Sequence, residues 1–335
     1  MTRSKSGFPP IQQRLIEFVR RELPSSENHY NFSKLIGDAS TRQYFRYSVS
    51  EQSYMIAVYP EPFNPGKFSY LEVYELLRHI GLPVPEILAM DGDLGTVLQE
   101  DLGNESLQKR LLNSEKDERE NLLHQAIDHI VTLQQQGPQA LGKKSQASQL
   151  AFDEKKLNWE LHFFRRHYLE GYRKGKPANQ EELTEEFARL AAELASLPRF
   201  LCHRDYQVRN LFLKEDRIYI IDFQDARWGP LCYDLVSLLK DSIQLHSSEI
   251  EEYKSYFLSK SRHGKPAYDF DRQFHLMCIQ RLLKAIGTYG YQITQRDLLI
   301  YEQHLKGSLH RCFTSLQAIT EFPYIRSLVE NELNS

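Results

Sequence analysis

The sequence predicts an α+β chain of two lobes, a small β-rich N-lobe over residues 1–103 and a larger, mainly helical C-lobe over 104–335. Three observations carry this. In the first hundred residues, short aromatic and β-branched runs alternate with turn residues. Past Gly103–Asn104 the pattern becomes mostly helical. A length of 335 residues is enough to form two lobes around a sizeable core.

The elements can be read in order. "IQQRLIEFVRREL" is an opening helix, and "HYNFSKLIG", "RQYFRYSV" and "SYMIAVY" are short strands separated by turn residues. "FNPGKFSYLEVYELLRHIGL" is a helix stopped by Gly81 and Pro83, and "TVLQED" is one more strand. Helices then run to the end, interrupted only by a charged loop at 202–210 and the strand "RIYIIDF". "LGKKSQASQL" and "YRKGKPANQEE" are polar connections, and no internal repeat is present.

Composition narrows the function class. Lys plus Arg (42) nearly balances Asp plus Glu (45), so no global basic field points to nucleic acid or an anionic membrane. Cys202, Cys232, Cys278 and Cys312 have neither metal-ligand nor disulfide-framework spacing, which fits a reducing compartment. The opening "MTRSKSGFPP" lacks a signal-peptide core, and no apolar run approaches a membrane span. A cytoplasmic protein with no obligate protein partner is the expectation.

The chemistry gathers in "CHRDYQVRN" (202–210), which lies between two core-forming segments. Asp205 and Asn210 are five apart, and Asp222 ends the apolar run "IYII" twelve residues beyond Asn210. Phosphoryl transfer needs a carboxylate to orient and deprotonate the attacking hydroxyl, and oxygen ligands to hold Mg²⁺ across the phosphates. Asp205 can be the first, Asn210 with Asp222 the second. A bare H-x-D-x₄-N pattern arises by chance in on the order of one chain per hundred, so alone it equally describes a solvated loop. With "LFL", a short hairpin and "IIDF" behind it, the functional reading prevails.

The segment "HRDYQVRN…YIIDFQDARWGPLCYDLVSLL" resembles the catalytic segment of the aminoglycoside phosphotransferase and choline kinase superfamily. "GDASTRQYFR", "GLPVPEIL", "LQEDLG", "WELHFFRRHY" and "QRLLKAIG" further resemble its bacterial anomeric N-acetylmuramate/N-acetylglucosamine kinase branch, from about residue 30 onward. The resemblance implies a protein-kinase-like bilobal fold, ATP and Mg²⁺ as cofactors, and a small-molecule sugar phosphorylated at its anomeric hydroxyl in cell-wall sugar recycling. It implies Asp205 as catalytic base, Asn210 and Asp222 as metal ligands, and His203 and Asp234 as braces of the catalytic segment.

By the same resemblance, "IGDASTR" covers the phosphates through Ser40, Thr41 and backbone N–H groups, although by itself it reads equally as a hairpin turn. Backbone groups of Gln99 and Glu100 fall where adenine is contacted. One departure stands out. Tyr59 in "IAVY" occupies the place of the usual strand-three lysine, which leaves the phosphate anchor open and the partner of Glu72 in question.

Hairpin geometry offers a substitute. A turn near Ser50–Gln52 pairs residues whose numbers sum to 101 or 102. A sum of 101 puts Arg42 and Arg46 on the face of Ala57 and Tyr59, the nucleotide side, whereas a one-residue slip turns both away. Arg42 is the expected anchor, with Arg46 second; solvated strand charges are the alternative.

For the acceptor, Gln224 and Asp225 just past Asp222 are expected to orient a hydroxyl, with Glu160 as a further sugar-hydroxyl partner. Trp159, Phe163 and Arg166 share one helical face, which suits either core or a sugar-stacking surface. Arg281 could meet a substrate carboxylate or be a surface charge. Competing readings are the same fold acting on an aminoglycoside, choline, a ketosamine or homoserine, and a nucleotide-binding pseudokinase. The missing lysine favours the pseudokinase, and the intact Asp205, Asn210 and Asp222 oppose it.

Overall fold

A computed structural model describes residues 9–23, 31–35, 42–142, 145–241, 243–261 and 270–335. The N-terminal part holds helix α1 (Ile11–Glu22), strands β1 (Asn31–Lys34), β2 (Gln43–Val49) and β3 (Gln52–Val58), helix α2 (Ser69–His79), and strands β4 (Ile87–Asp91) and β5 (Thr96–Glu100). These strands form one antiparallel sheet in the order β1-β2-β3-β5-β4. Strand β4 adds to the strands read from the sequence; its run Ile87–Asp91 lacks the alternation that marks a half-buried strand.

Side-chain alternation divides the sheet between two cores. Phe45, Tyr47, Ile56, Val58 and Leu98 point outward and bury against Leu15, Phe18 and Val19 of α1. Ala57 and Val97 point inward and join α2 and the C-terminal helices in one large core. Arg14 pins α1 to the sheet's end, donating from Nε to the Leu94 carbonyl (2.7 Å) and from Nη2 to those of Tyr59 (2.8 Å) and Gly95 (3.1 Å). The β2–β3 hairpin closes over Ser50 and Glu51, with Ser50 at the positive φ (+53°) that tight hairpin loops favour. Gln43 faces Val58 and Tyr44 faces Ala57, so the register sum is 101.

After the linker Asp101–Gly103 come α3 (Leu107–Asn113), α4 (Lys116–Ala140), α5 (Gln146–Gln149), α6 (Glu154–Phe164) and α7 (Gln180–Ser196). Four short strands follow where the sequence reading had one: β6 (Arg199–Cys202), β7 (Leu211–Lys214), β8 (Arg217–Ile220) and β9 (Arg227–Pro230). They pair as β6 with β9 and β7 with β8. At four residues each they are too short to show a period. Helices α8 (Tyr233–Lys240), α9 (Ser247–Lys260), α10 (Phe270–Arg296), α11 (Glu302–Ala318) and α12 (Pro323–Asn334) complete the chain. Among the described residues, no helix is long and apolar enough to cross a membrane.

Helix α6 runs on into a π-helical segment, Arg165–Tyr172, and α10 packs backbone-close against both. A Cβ at Gly287 would lie 2.6 Å from the Phe164 Cα, and one at Gly290 2.5 Å from the His167 carbonyl oxygen. This close approach sets α10 beside Glu160 and behind the loop 202–210.

Candidate active site

Strand β6 delivers residues 203–205 to the cleft between the sheet and the helices. Asp234, fully buried at the start of α8, accepts the backbone N–H groups of His203 (2.7 Å) and Arg204 (3.0 Å). Its carboxyl is pushed up by burial, against the pull of those two hydrogen bonds. The His203 ring accepts the Asp205 N–H at Nδ1 (3.3 Å), which leaves Nε2–H to donate to the Ile221 carbonyl (3.0 Å). His203 therefore ties the loop 202–210 to the segment carrying Asp222. Arg204 is held at φ +85°, a left-handed conformation costing a non-glycine residue about 1–3 kcal/mol.

Arg281 is not a substrate ligand. Its side chain is 1% exposed, donating from Nε to Asp241 (2.8 Å) and from Nη1 to the Arg204 carbonyl (2.7 Å), with Nη2 in ion-pair contact with Asp241 (2.7 Å). It is a buried pillar under the loop. Lys284, one turn along α10, brings Nζ to 3.7 Å from the Asp205 carboxylate, and Arg204 and Arg281 stand at 3.7 and 3.8 Å. Burial alone would raise the Asp205 carboxyl, but Lys284, Arg204 and Arg281 together hold it well below the usual carboxylate range.

Above the loop lies a cavity of about 330 Å³ lined by Met55, Tyr70, Gln99, Glu100, Asp101, Leu102, Arg42, Asn210 and Asp222, among others. Asn210 donates from Nδ2 to the Asp205 carbonyl (2.8 Å), which leaves its amide oxygen as the end available to a cation. Asp222 sits at φ +62°. Arg42 donates to Asp222 Oδ1 (2.7 Å) and to Gln224 Oε1 (3.0 Å), and its guanidinium carbon lies 5.8 Å from the ring centres of both Tyr44 and Tyr59. Tyr59, standing where a lysine was expected, is thus part of a cradle for an arginine from the neighbouring strand.

Other expected residues fall elsewhere. Arg46 is bound to the linker, reaching Asp101 with two N–H groups (2.5 and 2.9 Å) and the Gly103 carbonyl (3.0 Å), so its charge is spent on bracing the linker. Ala57 shares the cleft face but is buried in the core, and Met55, two residues earlier, lines the cavity in its place. Gln224 uses both ends of its amide on Arg42 and Asp222 (3.0 and 2.9 Å), so both ends are engaged by those two side chains. Glu160 is buried, paired with Gln280 (2.9 Å) and Lys156 (3.4 Å), and does not face a sugar hydroxyl directly.

Asp225 stays half exposed, bridged by Arg204 (2.7 Å) and Arg227 (3.6 Å). Gln99 lines the cavity with its side chain held by the Tyr70 hydroxyl (2.8 Å). Glu100 gives its N–H to the Glu86 carbonyl (2.8 Å) and its carboxylate to Lys214 (2.6 Å). Glu72 caps α5 by accepting the Gln146 N–H (2.9 Å). Ser40 and Thr41 lie outside the described residues. Lys284, Lys156 and Arg227 were missed; the one available signal was the three-residue spacing that stacks Lys284 over Arg281 on one helix face.

The donor set suits a hard cation. A carboxylate and an amide oxygen stand on one cavity wall, and among the described residues no three His, Cys, Asp or Glu side chains come together to hold a metal. Mg²⁺ characteristically takes one or two protein oxygens together with phosphate oxygens and water.

A family model for the phosphotransferase enzyme family matches residues 31–272. The chain is 31% identical to the N-acetylmuramate/N-acetylglucosamine kinase of Pseudomonas aeruginosa, over 88% of this chain and 85% of the relative. It is 30% identical to the enzyme of the same name from Neisseria meningitidis serogroup B, over 79% of each chain. Among solved structures, a spectinomycin phosphotransferase in complex with ADP and spectinomycin superimposes with a TM-score of 0.60 at 15% identity, over 91% of this chain and 98% of that one.

Proposed function

The chain belongs to the phosphotransferase enzyme family, and from that membership we propose that it is an ATP- and Mg²⁺-dependent kinase acting on the anomeric hydroxyl of N-acetylmuramate or N-acetylglucosamine. The observation that carries the reading is the convergence, in one cleft, of Arg42, Asn210 and Asp222 with a loop-borne Asp205. Asn210 and Asp222 would hold Mg²⁺, which neutralises phosphate charge. Arg42 would turn from Asp222 and Gln224 to the phosphates.

Asp205 accepts the hydrogen bond of the acceptor hydroxyl and receives its proton as the new P–O bond forms and the γ-phosphorus parts from the ADP oxygen, ADP leaving. A carboxylate held so acidic is a weak base early in the reaction. That suits a loose transition state, in which the attacking oxygen loses its proton late. The charges around Asp205 also bear on the acceptor. Arg204, Arg281 and Lys284 all stand within 3.8 Å of its carboxylate, an unfavourable surrounding for a polycationic aminoglycoside or choline and a tolerable one for a neutral or acidic sugar.

The test is Mg-ATP turnover over a panel: both N-acetylated sugars, their 1-O-methyl glycosides, aminoglycosides and choline. Phosphorylation of the two reducing sugars alone is expected. Equal turnover of the blocked glycosides would move the reaction off the anomeric carbon, and activity only on aminoglycosides or choline would overturn the substrate class. Asp205→Asn should lose at least ~10²-fold in turnover while binding ATP within a few-fold of the unmodified protein.

A further inference from the structure

Beside Asp205 basic side chains come together, and two of them, Lys156 and Arg227, have no part in the phosphoryl chemistry. Arg204 reaches Asp225 through Nη1 (2.7 Å), while its buried Nε has no hydrogen-bond partner. Arg227 touches the other oxygen of Asp225 (3.6 Å) and lies over the Phe152 ring (5.3 Å). Lys156 Nζ stands 3.4 Å from Glu160 Oε1, a buried oxygen that has this ion-pair contact and no hydrogen bond. The Glu160 charge is felt at all three cations, and Lys156 feels both arginines, so the three share one neighbourhood.

The charge count there is not balanced. Lys156, Arg204, Arg227 and Lys284 face Asp205, Asp225 and Glu160, while Arg281 and Asp241 cancel each other. One positive charge is left over, and the Asp225 carboxylate that serves two arginines is 45% exposed. Next to Lys156, whose Nζ lies 4.3 Å from its ring centre, Trp159 is 53% exposed. An indole left open to water beside a basic cluster offers a flat apolar face for a sugar ring.

We propose that Lys156, Arg204 and Arg227 form a subsite for a carboxylate carried on the acceptor sugar, with Trp159 as the ring platform, and that this subsite favours the acidic sugar over its neutral counterpart. The proposal deepens the sugar-kinase reading and rests on it. It also accounts for Arg204. A position at φ +85° is one that glycine occupies without strain, so the side chain is retained against the backbone's preference. The bridge from the catalytic loop to Asp225 and to the acceptor's carboxylate is what that side chain adds.

The test compares kcat/KM for N-acetylmuramate with kcat/KM for N-acetylglucosamine in Arg204→Gly and Lys156→Met. Taking the ratio cancels any common effect on Asp205. Arg204→Gly relaxes the backbone, and Lys156→Met keeps the helix and the apolar stem, so one of the two serves if the other fails to fold. Each variant should lower the ratio by about tenfold, through KM for the acidic sugar, the equivalent of about 1.4 kcal/mol. A ratio within about twofold of the unmodified protein in both variants overturns the subsite.

Tryptophan fluorescence titration with each sugar separates this result from the fate of the kinase reading. If the unmodified protein turns over neither sugar, the kinase reading falls. Tighter binding of N-acetylmuramate that the variants abolish would still uphold the subsite, and equal binding of both sugars would overturn it too.

Discussion

Arg281→Met is the most informative single perturbation, because the structure fixes what it removes. The side chain gives Asp241 one hydrogen bond and a second ion-pair contact, and gives the Arg204 carbonyl another hydrogen bond, at 1% exposure, and Asp241 is only 4% exposed. Methionine keeps the apolar bulk but strands the Asp241 carboxylate, which retains the Gln207 amide (2.9 Å) as a donor. Removing one partner of a buried ion pair costs about 3–5 kcal/mol. At an unfolding entropy of about 2.1 cal/mol/K per residue, this chain changes by roughly 0.7 kcal/mol per degree, so Tm should fall by about 4–7 °C in scanning calorimetry.

Turnover should fall separately. The Arg204 carbonyl loses its donor just before Asp205, and a shift of order 1 Å in a reacting group can cost ~10²-fold. Adding Asp241→Asn tells the two effects apart, since an asparagine there removes the stranded charge and can still accept from Gln207. The double variant should recover most of the lost Tm and little of the lost turnover. A single variant that melts within 1 °C of the unmodified protein and turns over normally would refute the pillar. A double variant that recovers both would show that Arg281 acts on stability alone.

Arg42→Ala should raise KM for ATP and lower turnover more than Arg46→Ala, whose contacts lie in the hinge; unchanged ATP kinetics in Arg42→Ala would remove it as the phosphate anchor. Asp222→Ala should lose most of the thermal stabilisation by Mg-ATP, which for a site at 100-fold its Kd is about 2.7 kcal/mol or roughly 4 °C. Acid stability should depend on His129, which burial pushes down to about 4, against Asp128 pulling up and with Arg217 adding to the fall. The unfolded chain then binds the extra proton between its ordinary value and about 4, so stability is complete above about pH 6.5 and declines as pH falls through that window. The loss should be about 2 kcal/mol once the ring's partial exposure is allowed for, and His129→Gln should flatten it in denaturant titrations at pH 4.5 and 7.

What could be read from the sequence was local. The catalytic loop, Asn210 and Asp222 fall within about twenty residues of each other, held by a turn, a hairpin and a strand whose lengths spacing alone constrains. Residues whose partners lie far along the chain could not be read this way. Arg281 finds the Arg204 carbonyl 77 residues away, and Arg46 finds Asp101 55 residues away. Glu160 is buried because Gly287 and Gly290 admit α10 so closely that Gln280 meets it, a contact that no helical period in either segment contains. Ala57 and Met55 share one strand face, and only the packing of α2 and the linker decides which of them sees the cavity.

The missing lysine shows how far a purely local argument can reach when it concerns pairing. A hairpin with a two-residue loop has one register for a given turn, and the observed sum of 101 sets Arg42 across from Tyr59. Directly opposed residues have Cβ atoms about 5 Å apart on the same face. A long cationic side chain on either strand can therefore deliver its charge to the same carboxylate. Moving the cation from the third strand to its neighbour leaves a ring at position 59, and that ring, with Tyr44, flanks the guanidinium that reaches Asp222 at 2.7 Å. A lysine restored at position 59 would bring a second cation against Arg42, so Tyr59→Lys should weaken catalysis, and Tyr59→Lys with Arg42→Ala should recover part of it. If Tyr59→Lys alone matched the unmodified protein in ATP kinetics, the exchange of positions across the hairpin would be the wrong account of the anchor.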